Sequence, residues 1–111
     1  MVDIEVLKKE IVERLKPLEP DKIILFGSYA NATATEESDV DLFLLKDGLA
    51  IEEMRSYRLQ LQKRLIDLQR KYLLGIDLFV DSTQRVHERI VKIKDQFYSE
   101  IMRSGKVIYG E

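Results

Sequence analysis

Three short apolar runs set the terms on which this chain can fold: KIILFG at 22–27, DVDLFLLK at 39–46 and GIDLFVD at 75–81. Each is rich in strand-forming residues and is bounded by glycine, aspartate or polar residues, so each reads as one strand. The segments around them have helical period. Residues 3–16 place Ile4, Leu7, Ile11 and Leu15 on one face, with Asp3 as N-cap and Pro17 and Pro20 as stops. From about 50 to 74 the spacing predicts one long helix with Met54, Leu61, Leu65, Leu68 and Tyr72 on its inner face. Gly75 suits that helix's C-terminus. Ser82 or Thr83 can cap a following helix, 95–104 forms a last one ending at Gly105, and KVIY at 106–109 closes as a strand. The polar stretch 30–38 reads as a loop opening with a short helical turn. The order predicts an α/β (α+β) fold, a small mixed β-sheet with helices packed on it.

Length and composition narrow the chemistry. With 111 residues, 1–111 is expected to form one domain. There is no cysteine and one histidine, His87, which excludes thiolate zinc sites, cysteine nucleophiles and multi-histidine metal centres. A metal here must use oxygen ligands, which selects hard cations such as Mg²⁺. Eighteen bases against 20 acids give a net charge of −2, unlike a dedicated duplex-DNA binder, so direct nucleic-acid binding is not expected. No apolar run approaches the ~18 residues of a membrane span. The opening MVDIEVLKKE does not read as a signal peptide, and a cytoplasmic location is expected. The balance conceals an asymmetry: 36–53 holds seven acids and one base, whereas 54–94 holds ten bases and four acids. The basic stretch reads mainly as a solvated helix face, and His87 as an exposed helix residue.

Three features converge on one chemistry. Gly27-Ser28 ends the first strand, where backbone N–H groups and a hydroxyl suit phosphate oxygens and glycine permits close approach. Asp39-Val40-Asp41 opens the second strand; at i and i+2 both carboxylates project to one face, while Val40, Leu42 and Leu44 fill core on the other. Side by side they repel, a conflict that a divalent cation removes. Asp77 interrupts the third strand between Ile76 and Leu78, where packing gives no reason for a carboxylate. If the second and third strands are neighbours, the three aspartates share one sheet face opposite the glycine-serine turn, as two-metal phosphoryl or nucleotidyl transfer requires.

Gly27-Ser28, ten residues, then Asp39-Val40-Asp41 resembles the Gly-Ser-x10-Asp-x-Asp signature of the DNA polymerase β-type nucleotidyltransferase superfamily. The text LFGSYANATATEESDVDLFLL is similar to its minimal nucleotidyltransferase (MNT) members. The resemblance runs from about Lys22 to Val80 and implies a polymerase β-like fold. It implies that Gly27 and Ser28 hold the triphosphate of ATP and that Asp39, Asp41 and Asp77 bind two Mg²⁺ ions. Asp77 would also help deprotonate the acceptor hydroxyl that attacks the α-phosphate. One departure stands out: many relatives continue the turn with Ala-Arg-Gly, where this chain has Ala30-Asn31-Ala32. The phosphate-clamping arginine is missing, and Lys22, Arg55 and Arg58 are candidates to replace its charge. Tyr29 could stack on a base or pack.

Partners follow from the same resemblance. MNT proteins are typically paired with a helical HEPN protein as toxin–antitoxin systems, and some attach AMP to a tyrosine of that partner. The long helix carries a second apolar line, Leu59, Ile66 and Leu73, which reads either as a wide core stripe or as a surface for a partner or a homodimer. An enzyme transferring AMP from ATP to a partner protein is the leading expectation. The alternative is an antitoxin that acts by complex formation alone. Transfer to RNA or an antibiotic is disfavoured, because 111 residues leave no room for an acceptor domain.

Overall fold

The computed structural model describes residues 2–110. Asp3 caps the first helix, α1 (Ile4–Leu15), by accepting the N–H groups of Glu5 and Val6. A 3-10 turn over Lys16–Leu18 carries Pro17, and Glu19 then turns the chain in a left-handed conformation. Four strands follow in one sheet: β1 (Lys22–Phe26), β2 (Val40–Leu45), β3 (Ile76–Asp81) and β4 (Lys106–Tyr109). Their spatial order is β3-β2-β1-β4. β1 runs antiparallel to both β2 and β4, whereas β2 and β3 are parallel. A parallel pair needs a long crossover, here α2 (Ile51–Arg64) and α3 (Ile66–Tyr72). After β3 come α4 (Thr83–Val91), capped by Ser82, and α5 (Gln96–Ser104), capped by Asp95. The mixed sheet with packed helices is the predicted fold class.

Both faces of the sheet are covered. On one, Ile23, Leu25, Val40, Leu42, Leu44 and Leu78 pack against Leu7, Ile11 and Leu15 of α1, Tyr57 and Leu61 of α2, and Leu68 of α3. On the other, Ile24, Phe43 and Leu45 meet Val86 of α4 and Ile101 of α5. Burial on two faces explains why β2 is apolar at successive positions rather than alternating.

The structure corrects the predicted 50–74 helix. It breaks at Leu65, whose N–H turns to the carbonyls of Gln62 and Lys63, three and two residues back. Leu61, Leu65 and Leu68 still lie in the same core, as the helical spacing predicted. Gly75 does not end α3: Leu73 takes the left-handed cap position, φ 53°, with its side chain 89% exposed. Leu59 and Ile66 are likewise exposed, so the second apolar line is not a core stripe. The basic residues of the helix, Arg55, Arg58, Lys63, Arg64, Arg70 and Lys71, are all exposed, as expected of a solvated face, and several of the segment's bases also make pairs. Lys71 pairs with Glu10 and Arg89 with Asp95, while Arg85 pairs with Asp81. Arg58 and Arg64 donate to the carbonyls of Leu78 and Arg14. Among the described residues, no helix is long and apolar enough to cross a membrane.

Candidate active site

The site lies at the end of the sheet where β1 finishes and β2 and β3 begin. Phe26 of β1 stands opposite Asp41 of β2, and Asp41 stands beside Asp77 of β3. Residues in register share a face, so both carboxylates project toward the α4/α5 side. The same alternation sends Val40, Leu42 and Leu44 into the opposite core, as predicted. Asp39 sits one residue ahead of β2, outside the strand that was expected to include it. It is carried to β3 by its neighbour: the Val40 N–H donates to the Gly75 carbonyl at 2.9 Å.

Two glycines make room for two of the aspartates. A Cβ on Gly27 would lie 2.3 Å from Asp41 Oδ2, and a Cβ on Gly75 would lie 2.6 Å from Asp39 Oδ1. Gly27 also has φ +75°, a conformation that costs any L side chain. From it the chain makes the expected helical turn: Ala30 and Asn31 both donate their N–H to the Gly27 carbonyl, and Thr33 donates to Ser28. Ala32 then takes φ +58°. Glycine, the residue of many relatives here, adopts that conformation without strain.

The electrostatics are those of crowded acids. The Asp41 carboxyl is pushed above the usual carboxylate range, first by burial and then by the charges of Asp77 and Asp39. Asp77 itself is exposed on the edge strand β3. Among the described residues, no three carboxylate or imidazole groups stand close enough to enclose an ion as they are. The donor set nevertheless fits a hard divalent cation, because it is all oxygen and Asp41 feels the repulsion that such an ion would relieve.

The remaining candidates separate clearly. Lys22 pairs with Leu45 at the opposite end of β1, four residues from Phe26, or roughly 13 Å along the strand. It cannot serve the glycine-serine turn. Arg58 reaches β3, where its Nε donates to the Leu78 carbonyl at 3.1 Å, one residue beyond Asp77. Tyr29 packs against the α1–α3 core, beside a cavity of about 450 Å³ that it shares with Lys71 and Tyr72 on that side of the sheet. His87 is exposed and flanks Asp47, Ser82 and Thr83.

Two groups on the same sheet face were not singled out from the sequence, one at its far end and one beside the site. Asp81 is 5% exposed and anchors a network, accepting from Tyr98 Oη at 2.7 Å, Arg85 Nε at 2.9 Å and the Ser82 N–H. Phe26, Phe79 and Phe97 form a triangle with ring centroids 5.5–5.8 Å apart. A signal was present for part of this: Asp77, Phe79 and Asp81 alternate along one strand and must share a face. Phe97 arrives from α5, which strand periodicity cannot foresee.

Known proteins place this arrangement. The family model described as polymerase beta, nucleotidyltransferase, matches residues 9–111. Two proteins of Methanocaldococcus jannaschii, each named "Putative protein adenylyltransferase" (MJ0604 and MJ0141), are similar to the chain. The first is 32% identical over 106 residues, 96% of this chain and 90% of the relative. The second is 32% identical over 102 residues, 92% and 91% of the two chains. Among solved structures, the fold resembles a toxin–antitoxin crystallised with AMP-PNP, with TM-score 0.60 and 23% identity over 94% of this chain and 73% of that one. It also resembles a mutant of the toxin–antitoxin MntA-HpeT, with TM-score 0.59 and 21% identity over the same shares. The family match, the two adenylyltransferase relatives and the shared fold agree with the glycine-serine turn and its facing aspartates: the chain belongs to the polymerase β-type nucleotidyltransferases, among their minimal (MNT) members.

Proposed function

We propose that this protein transfers AMP from ATP to a hydroxyl of a partner protein, and that it is the antitoxin half of a HEPN–MNT toxin–antitoxin pair in the cytoplasm. The observation that carries the reading is the row Phe26–Asp41–Asp77, with Asp41 Oδ2 lying against Gly27. It brings a phosphate-binding turn and acidic groups to one end of one sheet face. Gly27 and Ser28 hold the triphosphate through backbone N–H groups and the serine hydroxyl. Two Mg²⁺ ions, held by Asp39, Asp41 and Asp77, would supply charge that stabilises the attacking and leaving oxygens. Asp77, exposed at the edge of β3, accepts the proton of the acceptor hydroxyl as that oxygen attacks the α-phosphorus and pyrophosphate leaves. The names of the two relatives support a protein acceptor, the toxin–antitoxin neighbours support a partner protein, and the resemblance to MNT proteins makes that partner a HEPN-type one.

The test is transfer of label from α-labelled ATP to the partner protein in the presence of Mg²⁺. Wild type is expected to label the partner, and Asp39→Asn and Asp41→Asn are expected to lose labelling. Equal labelling by those variants overturns the assignment. One observation favours a second reading, an antitoxin acting by complex formation with a weak nucleotide site. The turn after Ser28 carries uncharged Asn31 and a left-handed Ala32, where many relatives have arginine and glycine. Calorimetry with Mg-ATP separates the two: no binding at millimolar nucleotide favours the second.

A further inference from the structure

The triangle of Phe26, Phe79 and Phe97 is out of keeping with its surroundings. Phe79 is 38% and Phe97 45% exposed, although both rings touch other aromatics and lie on the face that bears Asp41 and Asp77. The two rings thus leave a partly open aromatic surface beside the polar site. Next to them is a cleft of about 150 Å³, lined by the apolar Phe26, Phe97 and Ile101, by Gly27, and by the polar Asn31, Glu100 and Ser104. Its volume falls below the ~300–1,000 Å³ of a pocket that takes a whole small ligand. It therefore accommodates one flat part of a ligand whose remainder lies elsewhere, and Gly27 joins it to the phosphate turn. The larger cavity beside Tyr29 belongs to the other side of the sheet.

We infer that this cleft seats the heteroaromatic base of the nucleotide, with Phe97 as its stacking surface and Phe26 and Phe79 fixing the Phe97 ring. This rests on the nucleotidyltransferase reading of the glycine-serine turn and adds to it where the base goes. The ring contacts are edge-on or tilted, at 83° between Phe26 and Phe97 and 65° between Phe79 and Phe97, which supports the Phe97 ring while leaving part of it open. Stacking on an aromatic face tolerates any base, and the Asn31 carboxamide can meet its edge, whereas Ser104 Oγ already donates to Glu100. Among the described residues the Asn31 carboxamide makes no hydrogen bond, so it keeps both its donors and its acceptor.

The experiment compares binding of Mg-ATP with binding of Mg-tripolyphosphate, which has the phosphates and no base. Wild type is expected to bind ATP about tenfold more tightly than tripolyphosphate, the scale of one stacking contact. Phe97→Leu, which keeps apolar volume, should lower ATP affinity to the tripolyphosphate level and leave tripolyphosphate binding unchanged. Phe97→Tyr should restore the difference. The chain has no tryptophan, so Phe97→Trp installs a single reporter, whose fluorescence ATP should quench and tripolyphosphate should not. Unchanged ATP affinity in Phe97→Leu overturns the proposal, and so does equal loss for both ligands. Normal ATP binding with failed transfer to the partner also overturns it, and would assign the rings to the acceptor. If wild type binds tripolyphosphate but gains nothing from the base, this inference alone falls; if it binds neither, the nucleotide reading falls with it.

Discussion

Gly75→Ala is expected to separate stability from activity. Gly75 is not left-handed, so alanine fits its backbone without strain. Losing glycine's freedom in the unfolded chain is worth about 0.4–1 kcal/mol in favour of the variant. What the new methyl meets is Asp39, with Oδ1 at 2.6 Å and Cγ at 2.9 Å. Ordinary contact begins near 3.4 Å, so Oδ1 must retreat by 3.4 − 2.6, or 0.8 Å. Asp39 is exposed and can swing into water at little cost to the fold. A displacement near 1 Å of a group that positions reacting atoms can cost roughly 100-fold in rate. Calorimetric melting should therefore show a Tm unchanged or raised by up to about 4 °C, while Mg²⁺-dependent label transfer falls about 100-fold. Wild-type transfer would refute the assignment of Asp39 to the site. A drop of more than about 2 kcal/mol in stability would refute the claim that the carboxylate yields freely.

Other substitutions probe the same geometry. Gly27→Ala should harm both properties, because its φ of +75° costs a side chain about 1–2 kcal/mol and its Cβ would strike half-buried Asp41; chemical denaturation and label transfer should fall together. Ala32→Gly should instead raise denaturation stability by about 1 kcal/mol, by relieving the left-handed φ of +58°. At high pH, burial and the charges of Asp21 and Glu19 push the Tyr57 phenol up to about 12, and burial with the Asp81 hydrogen bond does the same to Tyr98. The folded state thus retains these protons longer than the unfolded chain, whose tyrosines titrate near 10. The stability this confers is full below pH ~10 and is lost as pH rises toward 12; Tyr57→Phe should flatten part of that decline in Tm. At the acid end the Asp95 carboxyl is held low by the Tyr98 N–H and by Arg89. Its contribution is present above pH ~4 and lost as pH falls through the folded value, so Asp95→Asn should lower Tm at pH 7 more than at pH 3.

The strands and most helix ends were legible because their signals are local. Asp3, Ser82 and Asp95 each cap a helix within three residues, and the three apolar runs each fill one strand. The break at Leu65 was not legible, because nothing near Leu65 in the chain is a helix breaker. Leu61, Leu65 and Leu68 share one face with or without the break, and nothing in the structure explains it. The basic stretch is the exposed face that its composition suggests, but the pairs it makes were not legible. Its partners Glu10, the Arg14 carbonyl and the Leu78 carbonyl lie far along the chain from the bases that hold them.

Glycine shows most clearly where local reading ends. Gly27 and Gly75 look alike in the sequence, each at a strand boundary, and each has a local explanation as a turn or cap. For Gly75 that explanation fails, because exposed Leu73 holds the left-handed position instead. The reason for glycine is across the sheet: the space a Cβ would take belongs to Asp39. Gly27 combines both causes, a positive φ and Asp41 in the space of its missing side chain. The ten residues between Ser28 and Asp39 thus bring a turn and a strand start to within one side chain of each other. A spacing that reads as a linear motif is, in the folded protein, a contact between Gly27 and Asp41, to which Gly75 adds a second with Asp39. Shortening the loop would move Asp39 and Asp41 off those glycines before it disturbed the core on the other face of β2.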